Sequence, residues 1–424
     1  MTLTNFSPKS RTDDWLTEDK EAGIFSILAK IYADPNIYQR ERAQIFDKSW
    51  LYAAHDSEIP SSGNFVTRHI GGRELLIVRG KDGRIRAFLN ACRHKGAPVC
   101  RERSGNASMF RCAYHAWNYN NLGKLVGVPA EDAYGPGFEK SKISLFEVRL
   151  ESYRGLLFTC YDKTAVSFKD YIAGAVESLD LILDKHEESG VTVLSGGYQY
   201  NMSANWKVLM ENSMDAYHLF SSHIRFFNEY MPNVMGVRIT RNDLLDPTGE
   251  HSGVRDLGNG HSVSETKQMT RNVDAHKLEV WEKRFGAERA KRMLGYNRVV
   301  LLYPNTMVAE QFFMIRTCFP LSADVTQTTA WALAPNGEDP KVREIRMQNF
   351  STFQGPAGFG TPDDIEILEQ CQRNFHAMAD DNYLDSSRGM SRAVAQADDE
   401  LANRVLLREW HRQLTGSVSS QVAE

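Results

Sequence analysis

Two short stretches each offer one thiol and one imidazole. "ACRHKG" carries Cys92 and His94, and "RCAYHAW" carries Cys112 and His115. Structural zinc sites commonly place two cysteines close together and then two histidines close together. Here each stretch supplies one of each, spaced Cys-x-His and Cys-x-x-His. A mixed-ligand [2Fe–2S] cluster uses such an arrangement, with one iron on both thiolates and the other on both imidazoles. Neutral imidazoles in place of two thiolates raise its reduction potential. Structural zinc is the competing reading. A cluster of this kind passes one electron at a time, so the substrate chemistry must lie elsewhere in the chain.

"NWKVLMENSMDAYHLFSSH" is the candidate. On a helix, Glu211, Asp215 and His218 fall at i, i+4 and i+7, on one face. His223 follows His218 by five residues, which is ~500° of helix. Both imidazoles therefore meet one ion only if the helix ends or distorts, and Ser221 and Ser222 are the expected place. Two imidazoles and one carboxylate, with open positions opposite, form the facial triad of non-haem Fe(II) oxygenases. A polar helix with one hydrogen-bonding core histidine is the plainer alternative.

The paired Cys/His loops, with Gly96 after the first and Trp117 after the second, resemble a Rieske domain. Lys95 and Ala113 depart from the usual pattern, and neither is a ligand position. The second stretch, through Asn205, Trp206, Lys207, Glu211, Asn212, Asp215, Tyr217, His218 and His223, resembles the catalytic helix of Rieske aromatic-ring-hydroxylating oxygenase α subunits. "GPAGFGTPDD" resembles the segment carrying that family's carboxylate ligand, which implies Asp364 beside His218 and His223. Thr361, Pro362, Asp363 and Asp364 also spell a helix start, with Thr361 as N-cap and acids in the first turn. The resemblance places Asn212 in the catalytic site. It gives Asp215 a bridging role, bonded to His218 and reaching His115 of a neighbouring subunit. One carboxylate can accept from two imidazoles. That role implies a head-to-tail ring of three.

These groups need elements to hold them. "ELLIVRG" and "RIRAFLN" read as strands joined across Asp82-Gly83, and "GLLFTCY" as a third. The Cys/His pairs then sit on loops after strands. "FKDYIAGAVESLDLILDKH", "DDIEILEQCQRNFHAM" and "DELANRVLLREWHRQL" read as helices. "VTVLSGGYQYNMS", "RVVLLYPNTMVAEQFFMIRTCFPL" and "TQTTAWALAP" read as strands, and the Gly/Asn/Asp/Ser-rich stretch from Met231 to about Asp274 as a long mobile loop or lid. The expected organisation is α+β. Residues 1–45 form a helical arm packing on the catalytic domain, 46–165 an all-β Rieske domain, and 166–424 a mononuclear-iron domain. The resemblance implies an antiparallel sheet covered by helices there, of helix-grip or START-like form.

The implied function is that of a terminal oxygenase. It uses O2 and electrons from NADH, delivered by a separate ferredoxin, reductase or both, to cis-dihydroxylate an aromatic ring. "GGREL" and "LGNGHS" lack the context of a dinucleotide fingerprint, so the reductase is expected on another polypeptide. The texture looks closest to p-cumate- and benzoate-type aromatic-acid dioxygenases. A salicylate-type hydroxylase, an O-demethylating monooxygenase and a Rieske electron carrier are the alternatives. The apolar pocket is expected from Met210, Met214, Phe220, Phe226 and Phe227 on one side of the sequence. Met307, Phe312, Phe353, Gln354 and Phe359 supply the rest. A carboxylated substrate would need Arg225, Arg316 or Gln354. A small β subunit (α3β3) or an α3 homotrimer is the expected assembly.

The chain has 424 residues, 42% hydrophobic residues and net charge -4, which gives no reason to expect nucleic acid or an anionic membrane as partner. It has no apolar run of bilayer length and no secretory signal at its start, and six cysteines make no disulfide framework. A cytoplasmic location is expected.

Overall fold

The computed structural model describes residues 15–186, 189–195, 197–245, 252–268, 275–378 and 381–416. Two antiparallel sheets dominate it. The first has seven strands, in the order Leu51–His55, Leu156–Cys160, Glu147–Tyr153, Ile85–Leu89, Arg73–Arg79, Asn64–Ile70 and Ser104–Asn106. The Asp82-Gly83 turn joins Arg73–Arg79 to Ile85–Leu89 as the sequence suggests. Gly83 takes φ +79, and the Asp82 carboxylate accepts from the Arg84 N–H. A three-stranded sheet, Leu125–Gly127, Asn118–Asn120 and Met109–Arg111, stands beside it.

The second sheet has eight strands. Thr326–Pro335 pairs on one side with Met314–Pro320 and on the other with both Val191–Val193 and Tyr198–Met202. Alternation sets its two faces. Met307, Ala309, Met314, Cys318 and Ala330 pack with Trp206, Met210 and Met214. Val308, Ile315 and Leu333 turn the other way, onto Phe168, Leu179 and Ile182 and onto Tyr52 and Phe158 of the first sheet. Helices Thr361–Ala377 and Leu401–Thr415 lie where the C-terminal periodicity puts them.

Two expectations need correction. The arm does not begin as a helix. Leu16–Asp19 and Ile24–Leu28 form a hairpin, and Ile24–Leu28 also pairs with Tyr383–Asp385. "IFSIL" buries Phe25 and Ile27 on one face, a period of two rather than 3.6. A single 3-10 turn, Ala29–Tyr32, follows, and the α-helix Pro35–Glu41 starts where Asp34 accepts from the Asn36 N–H at 2.7 Å. Residues 1–14 of the arm lie outside the described residues.

The stretch after Met231 is not one long loop. It holds a π-helical segment, Phe226–Met235, the short helix Arg241–Leu244, and the paired strands Gly253–Asp256 and Ser262–Lys267. "DLGNGHS" is the turn between those strands, with Gly258 and Gly260 both at φ +77. Turn residues that read as a lid thus close a hairpin. Residues 246–251 and 269–274 of this stretch lie outside the described residues. Helices Ala275–Phe285, Ala287–Gly295 and Pro340–Asn349 were not expected.

Candidate metal centres

The two Cys/His loops are conformational copies. In the first, the Cys92 N–H donates to the Ala97 carbonyl and the Gly96 N–H to the Cys92 carbonyl, both at 2.8 Å. In the second, the Cys112 N–H donates to the Trp117 carbonyl at 2.8 Å and the Ala116 N–H to the Cys112 carbonyl at 3.0 Å. Gly96 and Ala116 hold the same place and both have positive φ, +77 and +58. Cys92 and Cys112 are buried with Phe88, Trp117 and Tyr119. The His94 and His115 rings lie 4.5 Å apart, with His94 stacked on Trp117 at 5.1 Å. The Nδ1 atom of His94 is buried without a hydrogen-bond partner. The Tyr119 hydroxyl lies 3.4 Å from the Cys92 sulfur and accepts from the Arg93 N–H.

The second constellation starts on helix Trp206–Met214. The Asn205 side chain caps it by accepting from the Lys207 N–H at 3.0 Å. Buried Glu41 accepts from Lys207, from the Trp206 indole at 2.8 Å and from the Trp410 indole at 2.7 Å. This pins the helix between the arm and the C-terminal helix. The helix ends earlier than expected, at Asp215, whose φ of −94° and ψ of 111° are extended. A second short helix, Leu219–Ser222, follows, with His218 and His223 as its flanking residues. The chain therefore breaks twice: at Asp215, which was not expected, and after Ser222, where His223 leaves helical conformation as the sequence suggests. Glu211 does not share a face with the histidines either. It accepts from the Tyr32 hydroxyl at 2.8 Å, and burial pushes its carboxyl up to about 8.

Asp364 completes the cluster. Its Oδ1 lies 3.5 Å from His218 Nε2 and 3.4 Å from His223 Nε2, and it accepts from the Asn212 amide at 3.1 Å. One ligand atom from each of His218, His223 and Asp364 falls within 4.8 Å of the others. Burial alone would raise the Asp364 pKa, but the two histidines and Asn212 outweigh it and hold the carboxylate below its ordinary value. Burial would lower His223, but Asp364 and Asp363 outweigh it and raise it. The far nitrogens are held from behind. Asp215 Oδ2 pairs with His218 Nδ1 and Asp363 Oδ2 with His223 Nδ1, each at 3.2 Å. The expected cap does not form. Gly360 precedes the helix, and Thr361 instead donates to the Gln354 carbonyl at 3.0 Å.

Most of the expected apolar residues converge beside His223. The Phe353 ring lies 5.2 Å from His223, 4.6 Å from Phe226 and 5.3 Å from Phe312. Phe220 packs on Phe227, and Phe227 on Phe226. Phe359 reaches this group only at its edge, 6.3 Å from Phe226 and 39% exposed. Met307 of the sheet is buried in one core with Met210 and Met214 of the helix packed on it. Asp363, Tyr119, Tyr32 and Ser213 carry contacts that sequence reasoning missed, because each depends on a tertiary partner.

Comparison with known proteins gives this geometry its family. The Rieske [2Fe-2S] domain family matches residues 49–154. The catalytic domain of the ring hydroxylating alpha subunit matches residues 193–416. The chain belongs to the ring-hydroxylating oxygenase alpha subunits.

Toluate 1,2-dioxygenase subunit alpha of Pseudomonas putida is 32% identical to this alpha subunit, over 98% of this chain and 92% of that one. The anthranilate 1,2-dioxygenase large subunit of Acinetobacter baylyi is 32% identical over 87% and 81%. The structure of naphthalene 1,2-dioxygenase with indole bound superposes with a TM-score of 0.81, at 26% identity, covering 95% of this chain and 94% of that one. A quaternary ammonium Rieske monooxygenase, at 20% identity and TM-score 0.72 over 96% of this chain and 100% of that one, shares the fold.

Members of this family carry a Rieske cluster and a mononuclear iron that works with O2, and this alpha subunit fits both. Two buried thiols share two matching loops with two imidazoles whose rings lie 4.5 Å apart, one with an orphaned Nδ1. His223 Nε2 is also buried without a hydrogen bond, although it faces a carboxylate oxygen 3.4 Å away. Two imidazole nitrogens and a carboxylate oxygen converging within 4.8 Å of one another is a donor set that fits a mononuclear iron. Among the described residues no helix is long and apolar enough to cross a membrane.

Proposed function

We propose that this chain is the large subunit of a terminal oxygenase that cis-dihydroxylates an aromatic carboxylic acid. The reaction adds both atoms of O2 to adjacent ring carbons. Two electrons, ultimately from NADH through a separate reductase, and two protons balance it. The observation that carries the reading is the convergence of His218, His223 and Asp364 beneath the Phe226–Phe353–Phe312 aromatic group. The acid class is supported by the toluate, anthranilate and 2-halobenzoate dioxygenases among the relatives.

In this reading Cys92, His94, Cys112 and His115 hold the cluster, and His218, His223 and Asp364 hold Fe(II). When bound, the cluster passes single electrons and the iron activates O2. The chain's own side chains supply orientation. Asp215 and Asp363 each fix an imidazole by its Nδ1, leaving Nε2 for the metal. Asn212 holds the Asp364 carboxylate in place. The phenylalanines exclude water and present a flat apolar wall to the ring. The residue ranges 46–165 and 166–424 are the two working units, one for each metal centre.

Among the described residues of one chain, Asp215 bonds to His218 and to the Tyr217 N–H, not to His115. His115 is exposed at the tip of its loop. The bridging role of Asp215 therefore calls for His115 of the partner subunit, in a head-to-tail α3 ring or an α3β3 assembly.

The test is turnover of meta-toluate by the reduced protein with a donor ferredoxin and reductase under 18O2. A product carrying two labelled oxygens per molecule is expected. A single label would make the protein a monooxygenase. Oxidation of naphthalene with no turnover of any aromatic acid would remove the acid class and keep the dihydroxylation.

A further inference from the structure

Among the described residues, three arginines are buried. Arg298 faces the carboxylates of Glu265 and Glu310. Arg404 donates to the carbonyls of Ser386 and Arg388. Arg316 differs. It is 6% exposed, and its described partners are all neutral side chains: Ser213 Oγ, Gln354 Oε1 at 3.4 Å and Met307 Sδ at 3.7 Å. Its Nε is buried with no partner. A guanidinium always carries its charge, and a buried charge is costly without an anion beside it.

The place of this charge is informative. Arg316 sits on strand Met314–Pro320 opposite Met307, on the sheet face that packs against helix Trp206–Met214. Ser213 is the next residue after Asn212, which holds Asp364. Gln354 is the next residue after Phe353, whose ring covers His223. Tyr200 lies within the electrostatic reach of both Arg316 and Asp364. The unpaired cation thus borders the aromatic wall of the iron site. Asp364 is already held by two imidazoles and Asn212. Arg225, the other arginine considered, is exposed.

We infer that Arg316 anchors the carboxylate of the aromatic substrate, with Ser213 and Gln354 steadying its guanidinium beside the iron site. This rests on the aromatic-acid reading above. An arriving carboxylate would pair the buried cation and take hydrogen bonds from its open N–H groups. The contact fixes one end of the ring, so it selects which carbons face the iron.

The test compares meta-toluate with its neutral isostere meta-toluamide. Binding to the holoenzyme is read by calorimetry, and turnover by labelled product. Wild type should prefer the acid by at least about tenfold. Arg316→Gln, which keeps polar contacts to Ser213 and Gln354, should lose roughly 10- to 100-fold in affinity for the acid. Its affinity for the amide should fall by clearly less, because a neutral carbonyl loses a hydrogen bond but no ion pair. Arg316→Lys should fall between. Cluster absorption and iron content show that each variant is folded. Unchanged acid affinity in Arg316→Gln overturns the inference while leaving the acid reading intact. If Arg316→Gln does not fold, equal wild-type affinity for acid and amide overturns it instead. Wild-type turnover of neutral arenes only would overturn both.

Discussion

At the scale of single residues, the neighbours Asp363 and Asp364 divide one task. Asp364 is flanked by both Nε2 atoms, and Asp363 holds the opposite nitrogen of His223. A carboxylate that touches metal and one that orients its ligand differ sharply when neutralised. Asp364→Asn should leave the protein without mononuclear iron and without turnover. Asp363→Asn should keep the iron but bind it about 10- to 100-fold more weakly. Iron content after dialysis against a graded chelator measures both, with the [2Fe–2S] absorption as internal reference. The reverse pattern would move the ligand by one residue. At the other centre, Ala116 shows how strongly the loop geometry is imposed. A residue with a Cβ sits at φ +58 where its counterpart is Gly96, at a backbone cost of about 1–2 kcal/mol.

At the scale of elements, the site depends on chain breaks more than on regular structure. The sequence of the catalytic helix reads as continuous to His218 because Glu211, Asp215 and His218 keep helical spacing. Asp215 ends it by taking an extended conformation and accepting from the Tyr217 N–H, an Asx turn that competes with the helix. That turn re-aims His218 so that it and His223 face one point. Asp364 is delivered by a second break, the π-helical segment Phe350–Gln354 and the glycine-rich turn after it. A Cβ on Gly355 would stand 2.4 Å from the Ser351 carbonyl oxygen, and that backbone must move to admit it. Gly355→Ala should therefore destabilise the protein by about 1–3 kcal/mol. It should also lower iron occupancy, because the shifted turn carries Asp364. Urea unfolding and metal analysis on the same preparations check this. A stable variant with full iron would show that the turn can relax.

At the scale of the whole molecule, one chain holds both centres, yet the proposed link between them runs to another copy. Cys92→Ser removes a proposed cluster thiolate, and His223→Ala removes a proposed iron ligand. Each variant alone should be inactive. Co-expressed, they form mixed rings in which an intact cluster can neighbour an intact iron. Random assembly of a head-to-tail trimer restores roughly a quarter of wild-type turnover. Electron transfer confined to one chain would restore none. Asp215→Ala in the same assay should keep both metals and stop the transfer.

The Cys/His pairs and the two candidate iron-binding histidines were legible in the sequence because their spacing is local, whereas Asp364 was implied only by the family resemblance. Cysteine and histidine at fixed short spacings leave few metals that suit them, and strand alternation marks which faces are buried. The Asp82-Gly83 hairpin and the two C-terminal helices were legible for the same reason. The N-terminal hairpin was not, because Ile24–Leu28 is a strand only when Tyr383–Asp385 lies beside it, more than 350 residues away. The break at Asp215, the partnership of Asp363 with His223 and the isolation of Arg316 from carboxylates were hidden in the same way. Each is a statement about what surrounds a side chain after folding. The sequence by itself determined which atoms could bind iron and sulfur. Only the tertiary structure decided where the helix stops, which carboxylate faces the imidazoles, and which buried cation borders the site without an anion.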